Sequence, residues 1–309
     1  MSTPQLLFKN RRAGETVYLD GYKASGGYQG LEKGLKASPE EIRNIVKESG
    51  LRGRGGAGFP TGFKWNFFPS DAPGPKYLVC NCDEMEPGTY KDGVLLAADP
   101  HQLVEGMILS AYALQTDVGY IFIRYAYEQQ AGYLRKAIEE AKAAGYIGKN
   151  ILGSGFDFEL HVHGSAGRYI LGEETALLNG LEGKRPNPRL KPPFPATRGL
   201  FGRPTTVNNV ETIANIPHIV TGGALWFRDL ALTPGSSGTK LYGLSGHFNI
   251  NECFELPVGI PLREIVENYG GGIRGGRKFK ACLPGGGFNP LPDRRAYGRR
   301  PRLRQFGKG

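Results

Sequence analysis

Short apolar runs alternate with helical apolar spacings through the first half of the chain. Lys76 to Cys80 (KYLVC) and Tyr120 to Arg124 (YIFIR) are brief, nearly continuous apolar stretches, which predicts two buried strands. Between them Leu103, Val104, Met107, Ile108, Ala111 and Leu114 keep the spacing of one helical face from His101 to Leu114, and Ala131 to Ala144 repeats it. Strand, helix, strand, helix predicts an α/β layer with a largely parallel sheet. His161 and His163 alternate with Leu160 and Val162, so both belong to one strand face. With no third ligand in sight, a polar sheet face is preferred there to a metal site.

Ser38-Pro39-Glu40-Glu41 forms a capping box, Ile42, Ile45 and Val46 supply an apolar face, and Gly50 ends the helix. Pro186 to Pro195 (PNPRLKPPFP) is too proline-rich for a helix or central strand and predicts a stiff extended segment presenting Arg189, Lys191 and Phe194. Thr205 to Thr212 (TTVNNVET) is expected to start an apolar helix containing Ile213, Ile216 and Ile219. Leu232 to Gly238 (LTPGSSG) reads as a linker. Two or three strands and one helix beyond it make a small α+β module, which places a domain boundary near Thr239.

Size and composition suit a soluble globular protein of two domains: 309 residues, 39% hydrophobic and 22% charged. No apolar run reaches the roughly 20 residues needed to cross a bilayer, and the N-terminus lacks signal-peptide character, so a cytoplasmic protein is expected. The net charge of +10 is concentrated in the tail, where residues 291–309 carry six Arg and one Lys against Asp293, leaving about +4 for the rest. Without a basic stripe on any predicted element, nucleic acid is excluded as the expected partner. Cys80, Cys82, Cys253 and Cys282 have no zinc or ferredoxin spacing and are expected to be buried free thiols.

Candidate chemistry centres on GLRGRGGAGFPTGFKW, Gly50 to Trp65. Five glycines in nine residues, Gly50 to Gly58, let backbone N–H groups approach a phosphate. Arg52, Arg54 and Lys64 add positive charge, and Phe59, Trp65, Phe67 and Phe68 add flat apolar surface. The combination suggests a nucleotide or flavin site; a merely flexible loop is the alternative, because the spacing is neither a P-loop nor GxGxxG. Asn81, Asp83, Glu84 and Glu86 follow a strand where α/β sheets place ligand-binding groups, or else form a solvated acidic loop. Glu173 and Glu174, in GSAGRYILGEETAL, are paired acids able to hold ribose or nicotinamide groups. On an exposed helix they would mean little.

Read together, these segments resemble the flavin-carrying, NADH-oxidising 51-kDa (F-type) subunit of respiratory NADH:quinone oxidoreductase, complex I, and the related diaphorase subunits of NAD-linked hydrogenases and formate dehydrogenases. GRGGAGFPTGFKW, the DEMEPGTYKD segment, GEETALLNGLEG, NPRLKPPFPA and PTTVNNVET carry the resemblance, in order, across Val17 to Gly286. It implies a Rossmann-like α/β domain binding FMN and NADH over residues 1–238 and a β-grasp soluble-ligand-binding domain over 239–287; past about Gly286 the resemblance stops, and composition predicts a basic, disordered tail over 288–309. It implies that Gly53, Arg54, Gly55, Gly56, Lys64, Asn81, Asp83, Glu84, Tyr169, Gly172, Glu173, Glu174, Asn208, Asn209 and Thr212 line the FMN site. It further implies that Phe59, Lys64, Phe67, Glu86, Glu174, Lys191 and Phe194 hold NADH. Hydride would pass from nicotinamide to FMN, with Glu86, Glu174 and Lys64 positioning and compensating charge, and with no acid or base required. A carboxylate near the ribose favours NADH over NADPH.

The resemblance also implies partners in the peripheral arm of complex I, above all a thioredoxin-like 2Fe-2S subunit, with attachment to the inner membrane face only through the complex. The family's C-terminal 4Fe-4S domain is expected to be absent from this chain, since nothing after Cys282 in it supplies the ligands. The Arg-, Pro- and Gly-rich tail is expected to arise from a shifted reading frame, or to be a basic segment that meets an acidic partner. A truncated, non-catalytic nucleotide-binding or assembly component is therefore the alternative function. Near the site, Ser165 stands for a usual glycine, Leu171 and Cys82 for a Cys and an Ala, Gly93 for an Arg, and Tyr125-Ala126 for Gly-Glu. Ser165 and Tyr125 are expected to crowd the flavin pocket.

Overall fold

The computed structural model describes residues 4–285. Four parallel strands, β1 (Tyr77–Cys82), β2 (Val118–Ile123), β3 (Glu159–Gly164) and β4 (Thr205–Asn209), form a sheet in the order β3-β2-β1-β4. The two apolar runs read from the sequence are its inner strands, where helices cover both faces and select continuous apolar residues. Val79 lies between Tyr120 and Val207 in the register. Successive crossovers step outward from β1 to β2 to β3, and the chain then returns to place β4 on the other side of β1. At that reversal, the carboxyl ends of β1 and β4 open a crevice.

The capping box is present: Glu41 N donates to Ser38 Oγ at 3.2 Å and Ser38 N to Glu41 Oε2 at 2.6 Å, at the head of the Pro39–Glu48 helix. The Pro100–Leu114 helix differs from the one-faced helix expected, because fourteen of its fifteen residues are buried. Helices Pro39–Glu48, Glu128–Ala143, Val210–Ala214 and Ile216–Gly222 surround it. Gly106 permits the closest approach, since a Cβ there would lie 2.4 Å from the Ile213 carbonyl oxygen. Glu105 of the same helix accepts from Tyr28 N at 2.9 Å and Leu31 N at 2.8 Å, which anchors the short helices Leu19–Ala24 and Gln29–Gly34 that the apolar pattern does not announce.

Two further expectations are corrected. Thr205 to Asn209 is a strand rather than the start of a helix, because β-branched Thr205, Thr206 and Val207 complete the sheet beside β1. The helix begins at Val210 and is renewed at Ile216, where Pro217 occupies a first-turn position that needs no N–H donor. The Leu232 to Gly238 stretch is packed rather than a loose linker: Ser237 Oγ donates to Gly50 O at 2.7 Å and Gly238 N to Phe227 O at 2.9 Å.

Beyond it, β5 (Thr239–Gly243) and β6 (Cys253–Pro257) form an antiparallel hairpin, followed by helical turns Leu262–Glu264 and Ile265–Tyr269. Leu244, Leu256, Ile260 and Ile265 make a small core of their own, whereas Leu241 and Cys253 join the main one. Glu255 accepts from Leu6 N and Phe8 N, each at 2.9 Å, and from Thr239 Oγ1 at 2.5 Å, so the N-terminal segment clasps the hairpin. Among the described residues the FKACLPG stretch adds no strand, and residues 286–309, which hold the basic tail and the end of the predicted small domain, lie outside them.

Candidate functional site

Most of the residues singled out from the sequence meet at the crevice between β1 and β4. The glycine loop enters after the Pro39–Glu48 helix and leaves into the Thr61–Asn66 helix. Gly53 N donates to Phe59 O at 2.8 Å and Arg54 N to Thr212 Oγ1 at 2.9 Å, which closes the loop and ties it to the helix after β4. A Cβ on Gly55 would stand 3.2 Å from the Asn209 Cβ, whereas one on Gly56 would meet nothing within 4 Å. The loop thus packs on β4 below and faces open space above.

The arginines do a different job from the phosphate binding their charge suggests. Arg52 Nε donates to Gly58 O at 2.7 Å, and the buried Arg54 donates through Nη2 to Thr239 O at 2.9 Å and to Ser237 O at 3.2 Å. Arg52 braces the loop, and Arg54 stitches it to the hairpin module. Burial pulls the Arg54 pKa down against the pull of Glu211, whose Oε1 lies 3.9 Å away.

Lys64 reaches into the crevice. Its Nζ donates to Val207 O at 2.7 Å and to Glu174 Oε2 at 3.0 Å, while the other oxygen of Glu174 accepts from Lys191 Nζ at 2.7 Å. Burial would raise the Glu174 pKa, but the two lysines outweigh it and hold the carboxyl below its ordinary value. Glu173 is mainly a helix cap: its Oε2 accepts from Thr175 N and Ala176 N, both at 2.8 Å, and its Oε1 is 3.4 Å from Lys191. The proline-rich strap that carries Lys191 and Phe194 is anchored by Arg189, which donates to Asn179 Oδ1, Gly199 O and Glu182 Oε1 at 2.8–2.9 Å.

Across the crevice, Asn81 Nδ2 donates to Gly172 O at 2.9 Å, Tyr169 Oη to Glu86 Oε2 at 2.6 Å and Trp65 Nε1 to Asn208 Oδ1 at 3.2 Å. Asn209 caps the Val210–Ala214 helix through Glu211 N at 3.0 Å and donates to Asp92 Oδ2 at 2.8 Å. Phe59, Phe67 and Phe194 expose 48%, 68% and 58% of their surface. Of the described cavities, one of about 660 Å³ is lined by Arg198, Phe201 and the strap residues Leu190 and Pro193, and one of about 300 Å³ by Phe122, His163 and Ser165. The candidate site is an open crevice.

Glu84 is the predicted residue that turns away. Its carboxylate accepts from Asp92 N at 3.1 Å, Gly93 N at 3.3 Å and Tyr127 Oη at 2.8 Å, at the N-terminus of the Lys91–Ala98 helix. Burial, reinforced by the charge of Asp92, pushes its pKa up to about 7. Tyr127 fits there because residue 93 is glycine, where a Cβ would come within 2.8 Å of the phenol ring. Beneath Asn209 lies a buried group that sequence reasoning missed: Lys91 Nζ is 2.5 Å from Asp92 Oδ1 and 3.0 Å from Glu211 Oε2. All three stand inside the motifs quoted above, yet nothing in sequence order brings residue 91 to residue 211.

The two residues expected to crowd the pocket sit in different surroundings. Tyr125 is 77% exposed, and Ser165 is buried with its hydroxyl 2.5 Å from Asp83 Oδ1. Leu171 and Cys82 are absorbed into apolar clusters. His161 and His163 lie against Tyr120 and Phe122 of the neighbouring strand, in keeping with a polar sheet face.

Residues 46–218 match the family described as the Nuo51 FMN-binding domain. The chain is 53% identical over 287 residues to an F-type NADH-quinone oxidoreductase subunit of Rhizobium meliloti, covering 93% of this chain and 68% of that protein. It is 54% identical over 286 residues to the F-type NADH-quinone oxidoreductase subunit of Escherichia coli, covering 92% and 64% respectively. The chain therefore spans about two thirds of the length of these relatives. Among solved structures it resembles an NAD+-reducing NiFe-hydrogenase in the H2-reduced state, with a TM-score of 0.80 and 38% identity over 89% of this chain and 46% of that one.

Proposed function

Because this chain belongs to the Nuo51 FMN-binding family, with the F-type subunits of NADH-quinone oxidoreductase, we propose that it binds FMN and NADH at the β1/β4 crevice and holds them for hydride transfer. The single observation that carries the reading is the Lys64–Glu174–Lys191 chain of ion pairs, which joins the glycine loop, the GEET helix and the proline strap around the crevice. The residues suit a flavin nucleotide. The loop is open above Gly56, where a Cβ would meet nothing within 4 Å, and Asp83 Oδ2 is a buried acceptor without a partner.

Bound FMN would supply the two-electron acceptor for a hydride from nicotinamide. Gly53, Gly55 and Gly56 would admit its phosphate to the backbone, while Asn81, Asp83, Tyr169, Gly172 and Asn208 line the crevice around the rest. Lys64, fixed by the Val207 carbonyl and Glu174, would offset the negative charge of the nucleotide or of the reduced flavin. Phe59, Phe67 and Phe194 would stack on NADH, with Lys191, Glu174 and Glu86 orienting its polar groups. Glu84 acts from behind, by capping the helix that carries Lys91 and Asp92. We assign residues 1–238 to this function and 239–287 to a β-grasp module. The partners are peripheral-arm subunits including a thioredoxin-like 2Fe-2S protein, on the cytoplasmic side of the membrane.

Anaerobic reconstitution with FMN followed by NADH tests the reading. Bleaching of the flavin absorbance is the expected result, whereas a cooperatively melting chain that takes up no FMN overturns it. FMN uptake without bleaching would favour a nucleotide-binding assembly component.

A further inference from the structure

Ser165 and Asp83 meet beside the crevice from two different strand ends. Asp83 follows β1, and Ser165 follows β3. Both are nearly inaccessible, at 5% exposure for Asp83 and 3% for Ser165, and the serine Oγ is 2.5 Å from Asp83 Oδ1. The same hydroxyl oxygen accepts from Gly167 N at 3.3 Å, so the serine proton is directed to the carboxylate and its lone pair to the turn. Asp83 N donates to Asn81 Oδ1 at 3.1 Å, and Asn81 in turn donates to Gly172 O at 2.9 Å, which ties the aspartate to the segment that closes the crevice. The second carboxylate oxygen, Oδ2, is buried and has no partner.

We propose that Ser165 is a positioning residue for Asp83, holding Oδ1 so that this carboxylate stays ionised and presents Oδ2 as the acceptor for the bound flavin. The inference rests on the FMN reading above, and it adds a residue that a glycine at 165 could not replace, because glycine has no side-chain donor. Burial leaves the Asp83 pKa raised overall, and Ser165, then Arg124, limit the rise. The other ionisable neighbour in sequence, Glu84, is turned toward Asp92 and Tyr127 and gives Asp83 no donor. Removing the serine hydroxyl therefore takes away a hydrogen bond to the charged form and shifts Asp83 toward its neutral form. A neutral Asp83 repels the added electrons of a reduced flavin less, so the flavin becomes easier to reduce.

The test compares Ser165→Ala, Ser165→Thr, Asp83→Asn and the Ser165→Ala/Asp83→Asn double variant in the full chain. In flavin-free protein, the carboxyl carbon resonance of Asp83 should titrate at higher pH in Ser165→Ala and near the parent value in Ser165→Thr. In FMN-loaded protein, the midpoint potential should move upward in Ser165→Ala and in Asp83→Asn, with no further change in the double variant. An Asp83 titration unmoved by Ser165→Ala, or a potential shift that adds fully to that of Asp83→Asn, overturns the proposal. Failure of all variants and the parent to take up FMN would overturn the flavin reading, while the flavin-free titration would still decide the Ser165 contact.

Discussion

At the residue scale, the crevice works by pairing each charge with a group from a distant part of the chain. Glu174 lies between Lys64 and Lys191, so its removal would leave two cations facing the nucleotide. Glu174→Gln is expected to raise the relative rate of flavin reduction by NADPH over NADH about tenfold, because a 2′-phosphate then meets net positive charge; paired stopped-flow traces check this. Glu84 makes a pH prediction. Its folded-state pKa of about 7 lies above the ordinary carboxylate value, so the folded chain keeps a proton that the unfolded chain releases. Stability attributable to this group is therefore intact at acid pH and declines as pH rises from about 4.5 to about 7, by at most about 3 kcal/mol. Glu84→Gln should flatten that slope in melting curves recorded across the window, and an unchanged slope would assign it to other groups.

At the element scale, the Pro100–Leu114 helix organises the surrounding helices and sheet, and its contact with the Val210–Ala214 helix depends on the absence of a side chain at Gly106. A methyl group 2.4 Å from a backbone carbonyl oxygen cannot be accommodated by a rotamer change. Gly106→Ala should cost about 3 kcal/mol and displace the helix that carries Thr212, the residue that ties down the glycine loop. Lower melting temperature together with weaker FMN retention is the expected pair of results. A variant that loses stability but retains flavin at parental affinity would show that the loop does not depend on this contact.

For the whole molecule, the hairpin module is held by Leu241 and Cys253 in the main core and by polar contacts of long sequence range. Arg54 reaches Ser237 and Thr239 from the glycine loop, and Glu255 gathers Leu6 N, Phe8 N and Thr239 Oγ1. Glu255→Ala leaves these donors buried without an acceptor, at a cost of about 3 kcal/mol or more. Limited proteolysis should then cut between residues 239 and 285 before the sheet domain is attacked. Uniform loss of the whole chain would mean that the two parts unfold as one.

Local pattern sufficed for the inner strands β1 and β2, the capped Pro39–Glu48 helix and the main helices flanking the sheet, because period and caps are written in adjacent residues. The glycine loop, the GEET turn and the proline strap were also legible as candidate chemistry, each being a local departure from ordinary composition. The tertiary structure alone decided that Thr205–Asn209 is a strand, since its preference is set by pairing with β1. It decided that Arg54 braces the hairpin while Lys64 faces the crevice, that Glu84 turns to a helix end, and that Ser165 meets Asp83. These assignments depend on partners 8 to 185 positions away, and a side chain's role is set by whichever partner the fold brings within hydrogen-bond reach.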